Sequence, residues 1–485
     1  MELKAVRQEI KKLHRAKLQP LRARRQRRGF KSALPMINML DRQLYSDMIF
    51  PLIAAADGER ARLLPQVCKC WRDCFRQAKV NWDSFSITQP VHDLSKLGNV
   101  LDGAYRIRSL QLLFEHGGHV QSPQALRTLL EPLSRLQNLA LAAPGLVLQA
   151  PHLSTLPMSV THLRIEASPE LDVSMSMTLA SRLPALRSLH LLDTPNFSDE
   201  AAVAWRWSTN LEELALSGCR SLRGSAIRDI CTQCTALKIL HFSRSPVRAL
   251  HMEATSKLTQ LEILSVSSCA RTDTTPILGV ARNCCNLKSL HLFDVGPLHD
   301  DALQRVVEAQ PNLSSLILGP CPHLTEVFMS AIVAKLPNLT HLAMSGCSLL
   351  SDGALLCVAE GLPNLKHLLL TESAGFSDAG ILALEGLTQL LELSLHPVHQ
   401  ATTGGLLALC DVCDSLEYLM LAHCPPVGED VILQMLRCCM RLKVLMMTHV
   451  SPPGEEGLSR LLECSNALRC LALLPPPSSA GAVGS

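Results

Sequence analysis

Apolar residues recur along most of this chain with the spacing apolar-x-x-apolar-x-apolar. The first position of the pattern returns at intervals of 24 to 29 residues, and the commonest interval is 26. A repeat this regular indicates an array of equivalent units, in which each unit packs only against its neighbours. These first positions are Ile107, Leu136, Val160, Leu186, Leu211, Leu237, Leu261, Leu287, Leu313, Leu339, Leu365, Leu390, Leu416, Leu442 and Leu468.

Each repeat predicts one short strand. In the repeat that begins at Leu339, the side chains of Leu339, Leu342 and Met344 should point into a core, because alternate residues of a strand face the same side. His341 and Ser345 should then point to the opposite side. Strands stacked about 4.8 Å apart would form one long parallel sheet.

The stretch that follows each strand predicts a helix. The pairs Ser351–Asp352 and Ser377–Asp378 have the residue types of a helix N-cap and first turn, and apolar runs follow them. A helix is bulkier than a strand, so the array must curve with its helices outside. We therefore predict an α/β fold: a right-handed solenoid shaped like a horseshoe, with a parallel sheet inside, helices outside, and about sixteen repeats starting at Trp82.

Cysteine marks fixed places in the repeat. One cysteine follows the strand in five repeats, at Cys219, Cys269, Cys321, Cys347 and Cys424. Cysteine or proline precedes the next strand at Cys234, Cys285, Pro311, Pro337, Pro363, Cys413 and Cys439. This pattern resembles the cysteine-containing leucine-rich repeat, which is typical of F-box proteins and their relatives. The resemblance implies a protein-binding scaffold.

The segment before the repeats carries a second pattern. It contains Ile49-Phe50, then Val67-Cys68-Lys69-Cys70-Trp71, then Trp82, and this order resembles the F-box, a small three-helix module. Leu40-Asp41 stands near the place of the usual Leu-Pro opening. By this resemblance the segment would dock on the adaptor subunit of a cullin–RING ubiquitin ligase. The adaptor-binding residues would be Leu44, Ile49, Pro51, Val67, Cys68 and Trp71.

A plain helical cap is the alternative reading of the same segment, because the open end of any solenoid must be covered. The predicted organisation is then a basic arm over 1–31, an F-box-like helical domain over 32–81, the solenoid over 82–474 and a disordered tail over 475–485. The arm carries +10 of a total net charge of +3, so the remainder carries −7. Its basic cluster is either a nuclear address or a solvated arm.

The redox and membrane environment follow from composition. The chain has 19 cysteines, an odd number, outside any short disulfide-rich module, and no hydrophobic leader follows the first Met. We expect free thiols, a cytoplasmic or nuclear location and no membrane span.

Candidate chemistry is sparse. Cys231-x-x-Cys234 and Cys410-x-x-Cys413 have metal-ligand spacing, but each pair stands at the end of a predicted helix, where a buried small residue is expected. No phosphate-binding loop, nucleophile elbow or metalloprotease motif is present. We therefore expect no catalytic residues, no cofactor and no metal site.

Partner binding is expected on the concave face of the sheet. Its outward strand positions are mixed and weakly charged, which suits a folded protein or a peptide rather than a nucleic acid. Histidines are expected to hydrogen-bond the partner, and the aromatic residues to be energetic hot spots. The candidate partner-binding residues are His241, His291, Phe293, His341, His367 and Tyr418.

Three functions fit the sequence to different degrees. The first is a substrate-recognition subunit of a cullin–RING ligase, which holds a target on the concave face while partner subunits transfer ubiquitin. The second is a scaffold or inhibitor without a ligase link, similar to antagonists of mitotic exit or subunits of ciliary regulatory complexes. The third, a GTPase-activating protein of the leucine-rich-repeat type, is disfavoured because those repeats are longer and lack this cysteine pattern.

Overall fold

The computed structural model describes most of the repeat region. The adaptor-binding candidates from Leu44 to Trp71, the basic arm and the tail lie outside the described residues. The described residues are 84–86, 107–113, 123–142, 148–247, 253–269, 275–412, 415–450, 453–454, 457, 460–461 and 467–474.

One parallel sheet of sixteen strands runs through this part of the chain, and its strands pair in sequence order without a crossover. The prediction of sixteen strands is confirmed, including the first strand beside Phe85, which pairs with Leu110. The strands are β1 (Ser84–Ser86), β2 (Ser109–Leu113), β3 (Asn138–Ala142), β4 (His162–Glu166), β5 (Ser188–Leu192), β6 (Glu213–Ser217), β7 (Ile239–Ser243), β8 (Ile263–Ser267), β9 (Ser289–Phe293), β10 (Ser315–Gly319), β11 (His341–Ser345), β12 (His367–Thr371), β13 (Glu392–Leu395), β14 (Tyr418–Leu421), β15 (Val444–Thr448) and β16 (Cys470–Leu474).

A helix returns the chain from most strands to the start of the next. Where the sequence is poor in helix formers, between Leu237 and Leu261, the described return is a short 3-10 turn at Glu253–Lys257. The α-helices are α1 (Pro123–Leu130), α2 (Ala150–Leu153), α3 (Val173–Arg182), α4 (Asp199–Val203), α5 (Ser225–Gln233), α6 (Thr275–Asn283), α7 (Asp300–Ala309), α8 (Glu326–Lys335), α9 (Asp352–Gly361), α10 (Asp378–Ala383), α11 (Thr403–Val412) and α12 (Glu429–Cys438). Further 3-10 turns follow α4 at Ala204–Trp207 and α10 at Leu384–Gly386.

The repeated apolar positions form one continuous core between sheet and helices. The first positions from Ile107 to Leu442 are buried, and only the last, Leu468, is partly exposed. In the repeat at Leu339, Leu342 and Met344 are buried as predicted. Truncating such a leucine to alanine costs about 2–5 kcal/mol, because the cavity cannot fully collapse.

Strands and helices pack at different distances, and this difference curves the array. Neighbouring strands lie about 4.8 Å apart, whereas packed helices need about 8–10 Å. The array therefore bends with the sheet inside. We call the sheet surface away from the helices the concave face.

The turn after each strand is held by the next repeat. In most repeats its residue has a positive φ, as at Asp193, Arg244 and His423. Such a residue costs about 1–2 kcal/mol unless it is glycine. Its N–H donates to the neighbouring strand, as from Asp193 to the Ser217 carbonyl at 2.7 Å, which fixes the turn.

The residue after this turn is small and buried. The predicted cysteine positions, Cys219, Cys269, Cys321, Cys347 and Cys424, are all buried free thiols. Most contact backbone oxygens within the same turn; the Cys219 thiol, for example, also contacts the Thr194 hydroxyl at 3.3 Å. Cysteine serves here as a small apolar residue with a weak donor.

Carboxylates at the first helical position link consecutive repeats. Asp352 accepts a hydrogen bond from the Ser377 backbone N–H at 2.9 Å and another from the Ser377 hydroxyl. Asp378 binds Thr402 in the same way, at 2.6 Å for both bonds. The predicted N-caps at Ser351 and Ser377 are confirmed in position. However, the Ser351 hydroxyl donates to Glu326 of the preceding repeat rather than capping its own helix.

We expect Asp352→Ala to lower the free energy of unfolding by about 1–2 kcal/mol, because the backbone N–H and the hydroxyl of Ser377, the N-cap of the next helix, lose their acceptor. Urea denaturation measures the loss, and hydrogen exchange should place it in α9 and α10. Glu360→Ala, an exposed carboxylate at the other end of α9, is the control and should change stability by less than about 0.5 kcal/mol. Equal losses in the two variants would contradict the capping role.

Candidate partner-binding face

The candidate residues for partner binding all lie on the concave face. The first and third residues of each strand form two outward rows across the sheet, and the fifth forms a third row in the longer strands. His341, His367 and Tyr418 occupy the first row, and His241 and His291 the second. The structure brings together only His341 and His367. Phe293, in the third row, and Tyr418 are five strands apart, about 24 Å.

In the amino-terminal half of this face, several polar groups are paired with one another. His190 Nε2 lies 2.9 Å from Glu213 Oε1, and the Ser188 hydroxyl donates to Glu213 Oε2 at 2.7 Å. The hydrogen bond from His190, with help from Ser188, lowers the pKa of Glu213 to about 2 against the opposing effect of burial. Both carboxylate oxygens of Glu213 therefore have a neighbour before any partner arrives.

The two central histidines also have hydrogen-bond partners within the sheet. His241 Nδ1 lies 2.7 Å from Ser265 Oγ, and His291 Nε2 lies 2.8 Å from Ser289 Oγ. Partial burial, reinforced by neighbouring histidines, lowers the pKa of both imidazoles below the usual 6.5. They are therefore neutral near pH 7 and offer less to a partner than their sequence positions suggest.

From β9 onward, the concave face exposes large apolar side chains. Phe293, Tyr418 and Met420 are exposed by 44, 42 and 40%, respectively. Between them in the second row lie Ile317 and Leu369, both only half-buried. An exposed patch of this kind within an otherwise folded array is typical of an interaction site.

Two histidines form a stack at the edge of the apolar region. The rings of His341 and His367 are 4.1 Å apart between centroids and inclined by 10°. His367 Nδ1 lies 2.8 Å from Glu392 Oε2, which holds one ring in place. Partial burial and the neighbouring His367 lower the pKa of His341.

A second group of histidines was not singled out from the sequence. His396, His423 and His449 follow three consecutive strands, and we call them the histidine rim. Ring centroids are 4.6 Å apart for the first pair and 4.3 Å for the second, with the rings edge to face. Their sequence spacing of 27 and 26 residues matches the repeat and was a readable signal.

The helix side also exposes apolar residues. Trp207 is 69% exposed and has the Arg206 guanidinium 4.9 Å from its ring centroid. Leu356 and Leu382 are exposed on α9 and α10. The sequence pattern did not indicate Trp207, because it ends a 3-10 turn rather than lying on a regular helix face.

The cysteine pair at the end of α5 is buried. Cys231 is inaccessible, and the Cys234 thiol donates to the Trp205 carbonyl at 3.5 Å. Burial raises the pKa of Cys231 to about 12 and that of Cys234 to about 11. Within the described ranges, no group of three or more His, Cys, Asp and Glu side chains is arranged to hold a metal ion. The side chains of Cys410 and Cys413 lie outside the description.

No helix in the described part of the chain has the length and apolar character needed to cross a bilayer.

Stability should depend on the ionisation of Glu213. Its pKa is lower in the fold than its ordinary 4.5, so its contribution is present above pH 4.5 and is lost as the pH falls toward 2. Because the group is partly exposed, we expect about 1–2 kcal/mol between wild type and Glu213→Gln at pH 6, shrinking below pH 4. Urea titrations at both pH values measure it, with Glu385→Gln as control. A difference independent of pH would contradict the pairing.

Thiol reactivity should separate buried from exposed cysteines. At pH 8, a thiol with a pKa near 11 is ionised to roughly one part in a thousand, and burial excludes the reagent as well. Iodoacetamide followed by mass spectrometry should modify Cys285 and Cys438 in the native protein. Cys231 and Cys234 should react only after denaturation. Rapid native labelling of either residue would show that α5 is not packed as described.

Comparisons with known proteins concern the fold. No protein-family model matches the sequence, and no curated protein is significantly similar to it. Among solved structures, the chain is similar to an internalin of Listeria monocytogenes, with 18% identity, coverage of 84% of this chain and 94% of that one, and a TM-score of 0.40. It is also similar to a chain in the yeast complex of Rad7 and Elc1, with 14% identity, coverage of 87 and 96%, and a TM-score of 0.45. The strand order, register and buried leucine columns of this chain themselves identify a leucine-rich-repeat solenoid.

Proposed function

We propose that this protein is the substrate-recognition subunit of a cullin–RING ubiquitin ligase. A target protein binds the concave face of the solenoid, and the F-box-like segment over 32–81 binds the ligase adaptor. The observation that carries the first half is the exposed apolar area around Tyr418 and Met420 on the concave face. The second half is supported by the sequence resemblance at Ile49-Phe50 and Val67–Trp71.

The proposed mechanism is proximity. Binding energy on the concave face holds a target lysine near the conjugating enzyme that the ligase core recruits, which raises its effective concentration. In this proposal the chain forms no covalent intermediate and needs no cofactor, and it works in the cytoplasm or nucleus, where the ligase core and free thiols are found together.

The second candidate is a scaffold or inhibitor built on the same repeats. The departure from the F-box pattern at Leu40-Asp41, near the place of the usual Leu-Pro opening, favours it. Under this alternative the segment over 32–81 only caps the solenoid, while the concave face keeps its partner. The two candidates therefore differ in one contact, that of the adaptor.

Adaptor binding is measured with the purified full-length chain and the purified adaptor subunit. We expect a 1:1 complex, and at least a tenfold loss of affinity in Ile49→Ala and Trp71→Ala, because large apolar residues dominate such interfaces. Trp207→Ala is the matched control, since it removes an exposed tryptophan from the helix side. Circular dichroism confirms that each variant keeps the solenoid. If the wild-type chain binds no adaptor, the ligase proposal fails and the scaffold remains.

A further inference from the structure

The concave face is divided into two halves with different capacities to bind. In the amino-terminal half, His190 and His241 already have a carboxylate or hydroxyl partner on a neighbouring strand, and His291, on the strand β9 where the two halves meet, lies against Ser289 of its own strand. In the carboxyl-terminal half, large apolar side chains have no cover within the described residues. Burying apolar area yields about 25 cal/mol per Å², so the driving force for association lies in the second half.

The apolar positions there follow a simple alternation. Along the second row the sequence of side chains is large, small, large, small, large, large. We call the large members the apolar strip. They are Ile317, Leu369, Met420 and Met446, and Ala343 and Ser394 lie between the first three.

The spacing of the strip matches an α-helix. Ile317, Leu369 and Met420, with the gaps at Ala343 and Ser394 between them, recur every two strands, which is about 10 Å. Residues i and i+7 of a helix are about 10.5 Å apart, whereas same-side residues of an extended chain are about 6.7 Å apart. The strip covers five strand intervals, about 24 Å, the length of a helix of about 16 residues.

The histidine rim stands beside the strip. His396 comes two residues after Ser394, about 7 Å along the strand direction, so a helix about 10–12 Å wide on the strip reaches the rim. The charge of His399 also affects the pKa of His423. The carboxylate Glu372 lies in the turn after β12, one repeat before the turn at Pro397. Among the groups described at this rim, imidazoles therefore outnumber carboxylates. Neutral or protonated imidazoles donate hydrogen bonds to carboxylates.

We infer that the strip and the histidine rim together bind an acidic amphipathic helix of a partner protein, with its apolar side chains at i and i+7 on the strip and its carboxylates against the rim. This inference rests on the proposed function only in that the concave face is the partner site. Binding of the helix needs no adaptor contact, so either proposal can fail without the other.

Binding should strengthen as the pH falls. Desolvation by the packed rings and the positive charge of His396, His449 and His399 lower the pKa of the exposed His423 imidazole in the free protein. A partner carboxylate raises that pKa, so the complex binds protons more tightly than the free chain does. Affinity is then greatest at pH values below the pKa of His423 in the free protein. It is lost as the pH rises through the pKa of His423 in the complex. A shift of one unit changes affinity about tenfold.

The test is a selection of random 18-residue peptides, displayed on phage, for binding to the full chain at pH 6.5. We expect enriched peptides with helical apolar spacing and a net negative charge. The strongest peptide, synthesised and measured by fluorescence anisotropy, should bind about tenfold tighter at pH 5.5 than at 7.5. Met420→Asp should weaken it at least tenfold. His423→Asn, which tolerates the positive φ, should remove most of the pH dependence.

The matched control is His162→Asn, an exposed histidine on the concave face in the amino-terminal half, which should leave the affinity within twofold. Circular dichroism and urea denaturation confirm that each variant is folded. The inference is wrong if no peptide is enriched, if the enriched peptides are basic or uncharged, or if Met420→Asp leaves their binding intact. Adaptor binding by the same preparations reports separately on the ligase proposal.

Discussion

The lateral pairing of parallel strands is the constraint on which the rest of this molecule depends. Each strand exchanges its backbone hydrogen bonds with the strands of the adjacent repeats, and the leucines beneath stack into buried columns. Because no repeat can bury its apolar side alone, stability is a sum over neighbours. The turn after each strand and the carboxylate at Asp352 obey the same rule, since both find their partners one repeat away.

Much of the fold could be predicted from sequence, because the repeat is local and its period is regular. The positions of the inward leucines, the sixteen strands and the cap at Ser377 follow from alternation and residue type. The contacts between repeats could not be predicted so readily. His190 pairs diagonally with Glu213 of the adjacent strand rather than with the residue directly opposite. The Ser351 hydroxyl points away from its own helix, toward Glu326. Both depend on side-chain direction, which the spacing alone does not fix.

The candidate site was predicted in its location and only partly in its residues. Tyr418 and Phe293 are exposed as expected, but His241 is held by Ser265 of the adjacent strand and His291 by Ser289 of its own strand. The apolar strip and the histidine rim stand out only when the rows of the sheet are read across repeats. A solenoid makes this division natural, since each strand position becomes a row whose chemistry can change along the array without changing the fold.

We propose that this protein binds its partner on the carboxyl-terminal half of the concave face. Site-specific photo-crosslinking tests it most directly, with a photoreactive amino acid placed in turn at Met420, at Arg164 in the other half, and at Leu382 on the helix side. We expect a discrete crosslinked partner from position 420 and none from positions 164 and 382. Crosslinks to the same partner from Leu382 or Arg164, with none from 420, would contradict it.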